Sequence, residues 1–435
     1  MIGSRRRRLF WLLVPAVVVF SLSVVTLVRF QGILLPVRIG SGSMAEQFLG
    51  PHRLVICAEC DFAFRCGLDI EAPLQQATCP NCGFQRNDLS LATLHEGERV
   101  VIDHWAYLRR GPERGDVVAF VDPTNDAELA VKRVVGLPKE SISIRRGELF
   151  INGALHRKSL HETRELATLV YDDEFRLRAE YHRPSRWMSE DVESGWSESN
   201  HGFRWTDKNA ADRGDDWLMY RHWRCYTSPH PRTEESPVAD NDAYNQGLSR
   251  QLHEVTDLFL ACDIGLSADG EVALLIHDGR ESFTAVISAK SRSVRLHHSE
   301  EILTQAALPM HESSKPISVQ FGVIDEQLLF AVNELTVIRQ AYTPLDQPLQ
   351  PTSRPLGIAG RTGACSVANI RIYRDIYYLN SFRGDSPWAG PDPLTENCYL
   401  VFGDNLPLSN DSRHWATASL QRGMLVGKVL PLRRL

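Results

Sequence analysis

A chain of 435 residues with 43% hydrophobic and 23% charged residues can bury one sizeable core and has length for two or three, so disorder is not its default state. Its formal net charge of −6 provides no basic field to gather phosphate backbones, which excludes nucleic acid as an expected partner. Nothing in the charge balance names a substrate.

The first thirty residues speak to location. Arg5 to Arg8 form a cationic block, and residues 9–28 follow without a charge. At 1.5 Å per residue such a helix spans a hydrocarbon core of about 30 Å. One transmembrane anchor is therefore expected. The arginines before it place the N-terminus in the cytoplasm and everything after residue 30 outside. A cleaved leader is the rival, but it needs a shorter apolar region ending in a small-x-small site. Thr26, Leu27, Val28, Arg29 and Phe30 offer none.

A short run, residues 31–54, contains Ser41-Gly42-Ser43-Met44 and leads into a cysteine-rich segment. There Cys57-Ala58-Glu59-Cys60 and Cys79-Pro80-Asn81-Cys82 are two CxxC pairs separated by 18 residues. This spacing predicts a zinc ribbon with four thiolates around a structural ion, Cys66 being a fifth candidate or a spare. Outside the cytoplasm, paired disulfides are the rival. Beyond it, residues 99–152 read as short apolar strands, Val100-Val101-Ile102, Asp116 through Phe120 and Glu148-Leu149-Phe150-Ile151, set apart by Gly and charged turns.

A long region, about residues 155–395, has a different character. Residues 258–264, 272–276, 283–287, 317–324, 328–332, 335–338 and 367–373 are β-rich. Turn signals such as Ser267-Ala268-Asp269-Gly270, Asp278-Gly279 and Asn333-Glu334 separate them, which argues an antiparallel β-sandwich. Its aromatics, Trp187, Trp196, Trp205, Trp217, Tyr220 and Trp223, read as core and edge packing, with a groove for sugar or peptide as the alternative. Cys225, Cys262, Cys365 and Cys398 are candidates for pairing in an order the sequence leaves open. No histidine falls in a metalloprotease spacing such as HExxH, so no catalytic cofactor is expected.

Ser43 between Gly42 and Met44 is alone an ordinary turn serine. Two further segments change its meaning, Val131-Lys132-Arg133-Val134-Val135-Gly136-Leu137-Pro138 and Gly403-Asp404-Asn405-Leu406-Pro407-Leu408-Ser409-Asn410-Asp411-Ser412-Arg413. In this order and after an N-terminal anchor, the three resemble the signature boxes of bacterial type I signal peptidases, the serine-lysine proteases. Gly97-Glu98-Arg99-Val100, Arg114-Gly115-Asp116-Val117-Val118 and Gly147 to Gly153 match intervening family segments. The resemblance covers residues 30–56, 95–153 and 397–430, and it implies roles. Ser43 would be the nucleophile and Lys132 the general base. Ser409 would hydrogen-bond the lysine, and Ser41 with the Ser43 N–H would form the oxyanion hole. Asp411 with Arg413 would form a structural ion pair behind the site. The chemistry fits these residue types: a serine hydroxyl needs a base within reach, and lysine serves only when burial brings its pKa from about 10.4 toward neutrality.

The chain also departs from that pattern. Glu46-Gln47 replace the usual Pro-Thr after the serine, which is expected to loosen the turn that aims Ser43, and Lys139 stands where Gly is usual. Around Val367-Ala368-Asn369-Ile370-Arg371-Ile372 the sandwich resembles laminin-G or concanavalin-like jelly rolls. The expectation is thus a mainly β chain: residues 1–30 a cytoplasmic tip and anchor; 31–56 and 85–153 the first part of a peptidase core; 57–84 a zinc ribbon; 154–395 an inserted sandwich; 396–435 the last part of the core. Its substrates would be exported preproteins cut at the outer face of the cell (inner) membrane, with lipid around the anchor. The alternative is a membrane-tethered, catalytically impaired binding protein whose sandwich recognises glycan or protein.

Overall fold

The computed structural model of the protein describes residues 15, 17–25, 32, 34–68, 74–178, 184–189, 191–207, 214–223, 234–309, 315–379 and 386–432. The architecture is mainly β, as expected. No helix among the described residues is long and apolar enough to cross a membrane, and the anchor expected over residues 9–28 lies partly outside them. The chain divides into two compact units, residues 1–50, 96–141 and 390–435, and residues 51–95 and 142–389. Residues 51–56, 85–95 and 142–153, read from sequence with the peptidase core, group with the second unit.

The first unit is built on an antiparallel sheet in the order Leu34–Arg38, Arg99–Asp103, Leu425–Pro431, Val117–Asp122, Asn125–Gly136, Cys398–Phe402, Leu420–Gln421. Alternation along Val117–Asp122 feeds two clusters. Val117 and Ala119 join Ile39, Met44, Phe48, Val100, Ile102 and Val429, whereas Val118 and Phe120 join Val134, Tyr399, Val401, Trp415 and Leu420. The long strand Asn125–Gly136 lies between Val117–Asp122 and Cys398–Phe402, with Lys132 opposite Val118 and Arg133 opposite both Val117 and Phe402. Lys139, where the resembled pattern has Gly, adopts a φ of 71°, the left-handed backbone a glycine would accept without strain.

The second unit holds the sandwich. One sheet runs Trp196–Ser199, Gly202–Thr206, Ala364–Arg374, Leu258–Leu266, Ile317–Ile324, Gln327–Val332, Leu335–Ala341, with Thr168–Asp172 also on Ala364–Arg374. The other runs Trp187–Ser189, Asp216–Tyr220, Leu356–Thr362, Glu271–His277, Ser282–Ser288, Ser293–His298, Glu301–Ala307. Period-2 patterning sends Leu258, Leu260, Cys262 and Ile264 of the first sheet and Val272, Leu274 and Ile276 of the second into one core. Phe259 points the other way and packs with Ile324, Ala331 and Leu160 of the helix Leu160–Leu166. That helix opens on a capping box between Ser159 and Glu162. The expected turn at Asn333-Glu334 behaves as a two-residue hairpin requires, with φ of 47° and 70°, and a second such turn, not singled out from sequence, stands at Asp325-Glu326 with φ of 51° and 53°.

Trp187, Trp205, Tyr220 and Trp223 are buried, and Trp196 and Trp217 are half-buried and packed against the core clusters. Among the described residues these aromatics are packing and not an open groove. Cys262, Cys365 and Cys398 are free thiols, so the expected pairing does not form among them, and Cys225 lies outside the described residues. The physical reason for Cys262 is its inward position in a strand, where a thiol serves as a small apolar group.

Gly360 of one sheet faces Trp205 of the other. A Cβ at position 360 would lie 2.0 Å from Trp205 Cδ2. Gly360→Ala is expected to destabilise the protein by about 1–3 kcal/mol through overpacking, read as a lower midpoint in urea unfolding.

Candidate active site

Ser43 sits in the turn that follows strand Leu34–Arg38, and its neighbours explain why it holds still. Met44 and Phe48 are anchored in the core, 1% and 3% exposed. The turn closes on itself through Ala45 N–H to Gly42 O at 3.0 Å and Phe48 N–H to Met44 O at 2.8 Å. Asn405 pins the same turn from outside. Its Nδ2 donates to Gly42 O at 2.9 Å and its backbone N–H to Ser43 O at 3.1 Å. Asn405 lies within the motif Gly403–Arg413, but its role is not legible there, because a backbone carbonyl as its partner leaves no mark in the sequence.

Lys132 comes to Ser43 from the long strand. Its Nζ lies 2.6 Å from Ser43 Oγ, with the lysine 5% and the serine 8% exposed. Burial depresses the lysine to about 8, against the pull of Asp411, Asp404 and Asp122, while Arg413 adds to the depression. The amine is therefore uncharged in an appreciable fraction of molecules near neutral pH. The Ser41 hydroxyl, on an exposed residue, donates to Ser43 Oγ at 3.4 Å.

Behind the pair lies Asp411, fully buried. Arg413 grips it with Nε to Oδ1 at 2.9 Å and Nη2 to Oδ2 at 2.7 Å. Gly403 N–H at 3.0 Å, the Ser409 hydroxyl at 2.6 Å and the Arg413 N–H at 3.2 Å also donate to it. Burial alone would raise this carboxyl, but Arg413 and the surrounding donors overcome it and hold Asp411 well below the usual carboxylate range. Ser409 thus donates to Asp411 here, whereas the resemblance assigned it to the lysine. A buried carboxylate collects the donors within its reach, which is why Ser409 turns to Asp411. Gly403 is demanded by close approach: a Cβ there would meet Ser409 Oγ at 2.3 Å and Ser43 O at 2.4 Å.

In the second unit Cys57, Cys60, Cys79 and Cys82 are buried, with their sulfurs all within 4.8 Å of one another. Cys57 Sγ is 3.5 Å from Cys82 Sγ, and Cys60 Sγ is 3.7 Å from Cys79 Sγ. A tetrahedral ion with metal–sulfur bonds of about 2.3 Å sets its ligands about 3.8 Å apart, so this cage fits zinc and is too wide for disulfide bonds. Each pair sits in a turn, with Asp61 N–H on Cys57 O at 3.0 Å and Gly83 N–H on Cys79 O at 2.9 Å. Cys66 stands apart from the cage as a buried thiol that desolvation raises to about 11.

The family described as signal peptidase, peptidase S26, matches residues 87–195. That stretch contains Lys132; Ser43 and Ser409 lie outside it. A probable signal peptidase I-2 of Synechocystis is 33% identical over 69 residues, covering 14% of this chain and 31% of that protein. Signal peptidase IB of Staphylococcus aureus is 39% identical over 61 residues, again 14% of this chain and 31% of the relative. The chain spans about a third of the length of the curated relatives it matches. Among solved structures, carbohydrate binding module CBM66 of Bacillus subtilis aligns with 43% of this chain and 94% of its own at 13% identity and a TM-score of 0.27. A protein with a galectin-like fold from the same organism aligns with 48% of this chain and 99% of its own at 9% identity and a TM-score of 0.31.

The shell of Asp411 yields a direct expectation. Asp411→Ala leaves the Arg413 guanidinium, 8% exposed in its side chain, without its carboxylate. A loss of about 3–5 kcal/mol should appear as a lower midpoint in urea unfolding.

Proposed function

We propose, for a chain that carries a segment of the type I signal peptidase family, that it is a serine endopeptidase removing signal peptides from exported preproteins, with Ser43 as nucleophile and Lys132 as general base. The observation that carries this reading is the 2.6 Å contact between a buried lysine amine and a buried serine hydroxyl in a chain related to these enzymes.

The chemistry follows from the geometry. The uncharged Lys132 amine accepts the Ser43 proton as Oγ attacks the scissile carbonyl. The Ser43 N–H and the Ser41 hydroxyl, whose oxygen lies 3.4 Å from Ser43 Oγ, donate to the carbonyl oxygen of the substrate as it becomes the oxyanion. The lysine ammonium then gives its proton to the departing amine, leaving the signal peptide as an ester on Ser43. A water, deprotonated by the same amine, releases it. Asp411 and Arg413 keep the lysine's surroundings fixed and carry no proton in this scheme.

The same reading places residues 9–28 across the cell (inner) membrane, with the N-terminus cytoplasmic and the catalytic unit on the outer side, where the apolar segment of a preprotein lies in lipid. It also assigns Cys57, Cys60, Cys79 and Cys82 to one structural zinc ion. A closed set of four thiolates leaves no position for a reacting water.

Cleavage of a model preprotein tests the pair. Turnover should rise with pH through about 8, since below that value the amine is an ammonium and cannot accept a proton. Ser43→Ala, Lys132→Ala and Lys132→Arg should each abolish it, because a guanidinium stays protonated at any working pH. The double mutant should be hardly worse than either single one, as the two residues act as a unit. Substantial turnover by Lys132→Arg would overturn the assignment of the base.

Metal analysis tests the cage. Purified protein should carry about one zinc per chain, lost together with unfolding stability in a Cys57→Ser, Cys60→Ser variant. Protein that holds no metal when prepared without chelator would sink the zinc assignment.

A further inference from the structure

The turn carrying Ser43 lacks the proline and threonine of the pattern it resembles, and Gln47 occupies the second of those positions. Gln47 is half-buried, and its Oε1 accepts a hydrogen bond from Arg133 Nη2. The same guanidinium grips Asp404 through Nε to Oδ1 and Nη2 to Oδ2, both at 2.8 Å, and its Nη1 donates to Gly115 O at 2.8 Å. Arg133 is 4% exposed and stands next to Lys132 in the chain. Gln47 therefore runs a direct tie from the turn of the nucleophile to the strand of the base. Asn405 secures the leading side of that turn at Gly42 and Ser43, and Gln47 secures its trailing side.

We propose that Gln47 is a positioning residue that holds Ser43 in register with Lys132, taking over the restraint a proline ring gives such a turn. This rests on the reading of Ser43 and Lys132 as nucleophile and base. A proline restricts the turn by fixing φ, whereas Gln47 restricts it by bonding to a buried, immobile guanidinium. The bond is made in the free enzyme and touches no substrate. Its loss lets Ser43 drift from the amine, so it appears in kcat and leaves KM in place. Displacements of about 1 Å at a reacting atom cost up to about a hundredfold in rate.

The test is steady-state cleavage of a model preprotein by the full chain and its Gln47→Met, Gln47→Asn and Gln47→Glu variants, with Ser43→Ala run alongside and kcat taken per folded molecule from thermal unfolding. Gln47→Met keeps the length and removes the acceptor, and Gln47→Asn keeps the acceptor on a stem too short to reach. Both should lose about tenfold or more in kcat with KM within about twofold and the pH midpoint unchanged. Gln47→Glu, which retains an oxygen for Arg133, should stay within about threefold of the parent kcat. An inactive Ser43→Ala together with parental kcat in Gln47→Met and Gln47→Asn overturns this proposal alone, as does a Gln47→Glu variant as slow as Gln47→Met. A Ser43→Ala variant that still cuts overturns the reading of the nucleophile and this proposal with it.

Discussion

Burial of Lys132, which lowers its pKa to about 8 while its amine rests 2.6 Å from the Ser43 hydroxyl, is the constraint on which the surrounding charges act. Burial of Lys132 weakens its ammonium form, yet Asp411, Asp404 and Asp122 pull in the opposite direction. The balance settles near 8 with two of those three acids held in ion pairs. Asp411 is held by Arg413 and Asp404 by Arg133, so the charge that reaches the lysine is that of ion pairs. Removing either arginine would leave an uncompensated carboxylate beside the amine and favour its protonated form. The arginines thus tune the lysine without touching the serine.

Position is the second half of the same requirement. The turn of Ser43 has apolar anchors in Met44 and Phe48, a carbonyl clamp in Asn405 and a tie to the strand in Gln47. Losing the proline and threonine removes a backbone restraint from this turn. A long polar side chain reaching a buried guanidinium supplies a restraint of another kind. Lys139 shows the opposite case, a departure that keeps the backbone conformation of the usual glycine and accepts a left-handed φ of 71°.

Much of this was legible because its signals are local. Alternation and turn residues located the strands at Leu258–Leu266, Glu271–His277, Ile317–Ile324 and Ala364–Arg374 to within a few residues, since period and turn chemistry act over short stretches. Leu356–Thr362, the sheet partner of both Asp216–Tyr220 and Glu271–His277, escaped because Gly357 and Gly360 dilute its apolar pattern. Those glycines exist for distant aromatic neighbours, Trp217 and Trp205, which no short window contains. At the candidate site the residue types Ser43, Lys132 and Ser409 were found from their motifs. The partners of Ser409, Gln47 and Asn405 are set by folding and could not be read from spacing. The CxxC pairs were legible for a complementary reason, as two knuckles of fixed internal geometry have few ways to meet.

How the first sheet stays continuous although the second unit interrupts it in sequence follows from where the chain leaves it. Strand Asn125–Gly136 runs out and Cys398–Phe402 returns as its antiparallel neighbour, with Gly136 opposite Leu400. Beyond them the departing and returning chains stay bonded, Lys139 N–H to Leu394 O and Leu394 N–H to Glu140 O, each at 2.9 Å. Residues 142–389 thus lie within what is topologically one hairpin connection. The smaller excursion, residues 51–95, is closed in the same manner, by Glu98 N–H to Leu49 O at 2.8 Å and Ile39 N–H to Glu98 O at 2.9 Å. The entropic cost of closing a connection grows only with the logarithm of its length, and the larger excursion brings a core of its own. With both openings closed by backbone hydrogen bonds of the first unit, the strand that carries Lys132 and the turn that carries Ser43 each keep their flanking chain paired within the sheet that positions them.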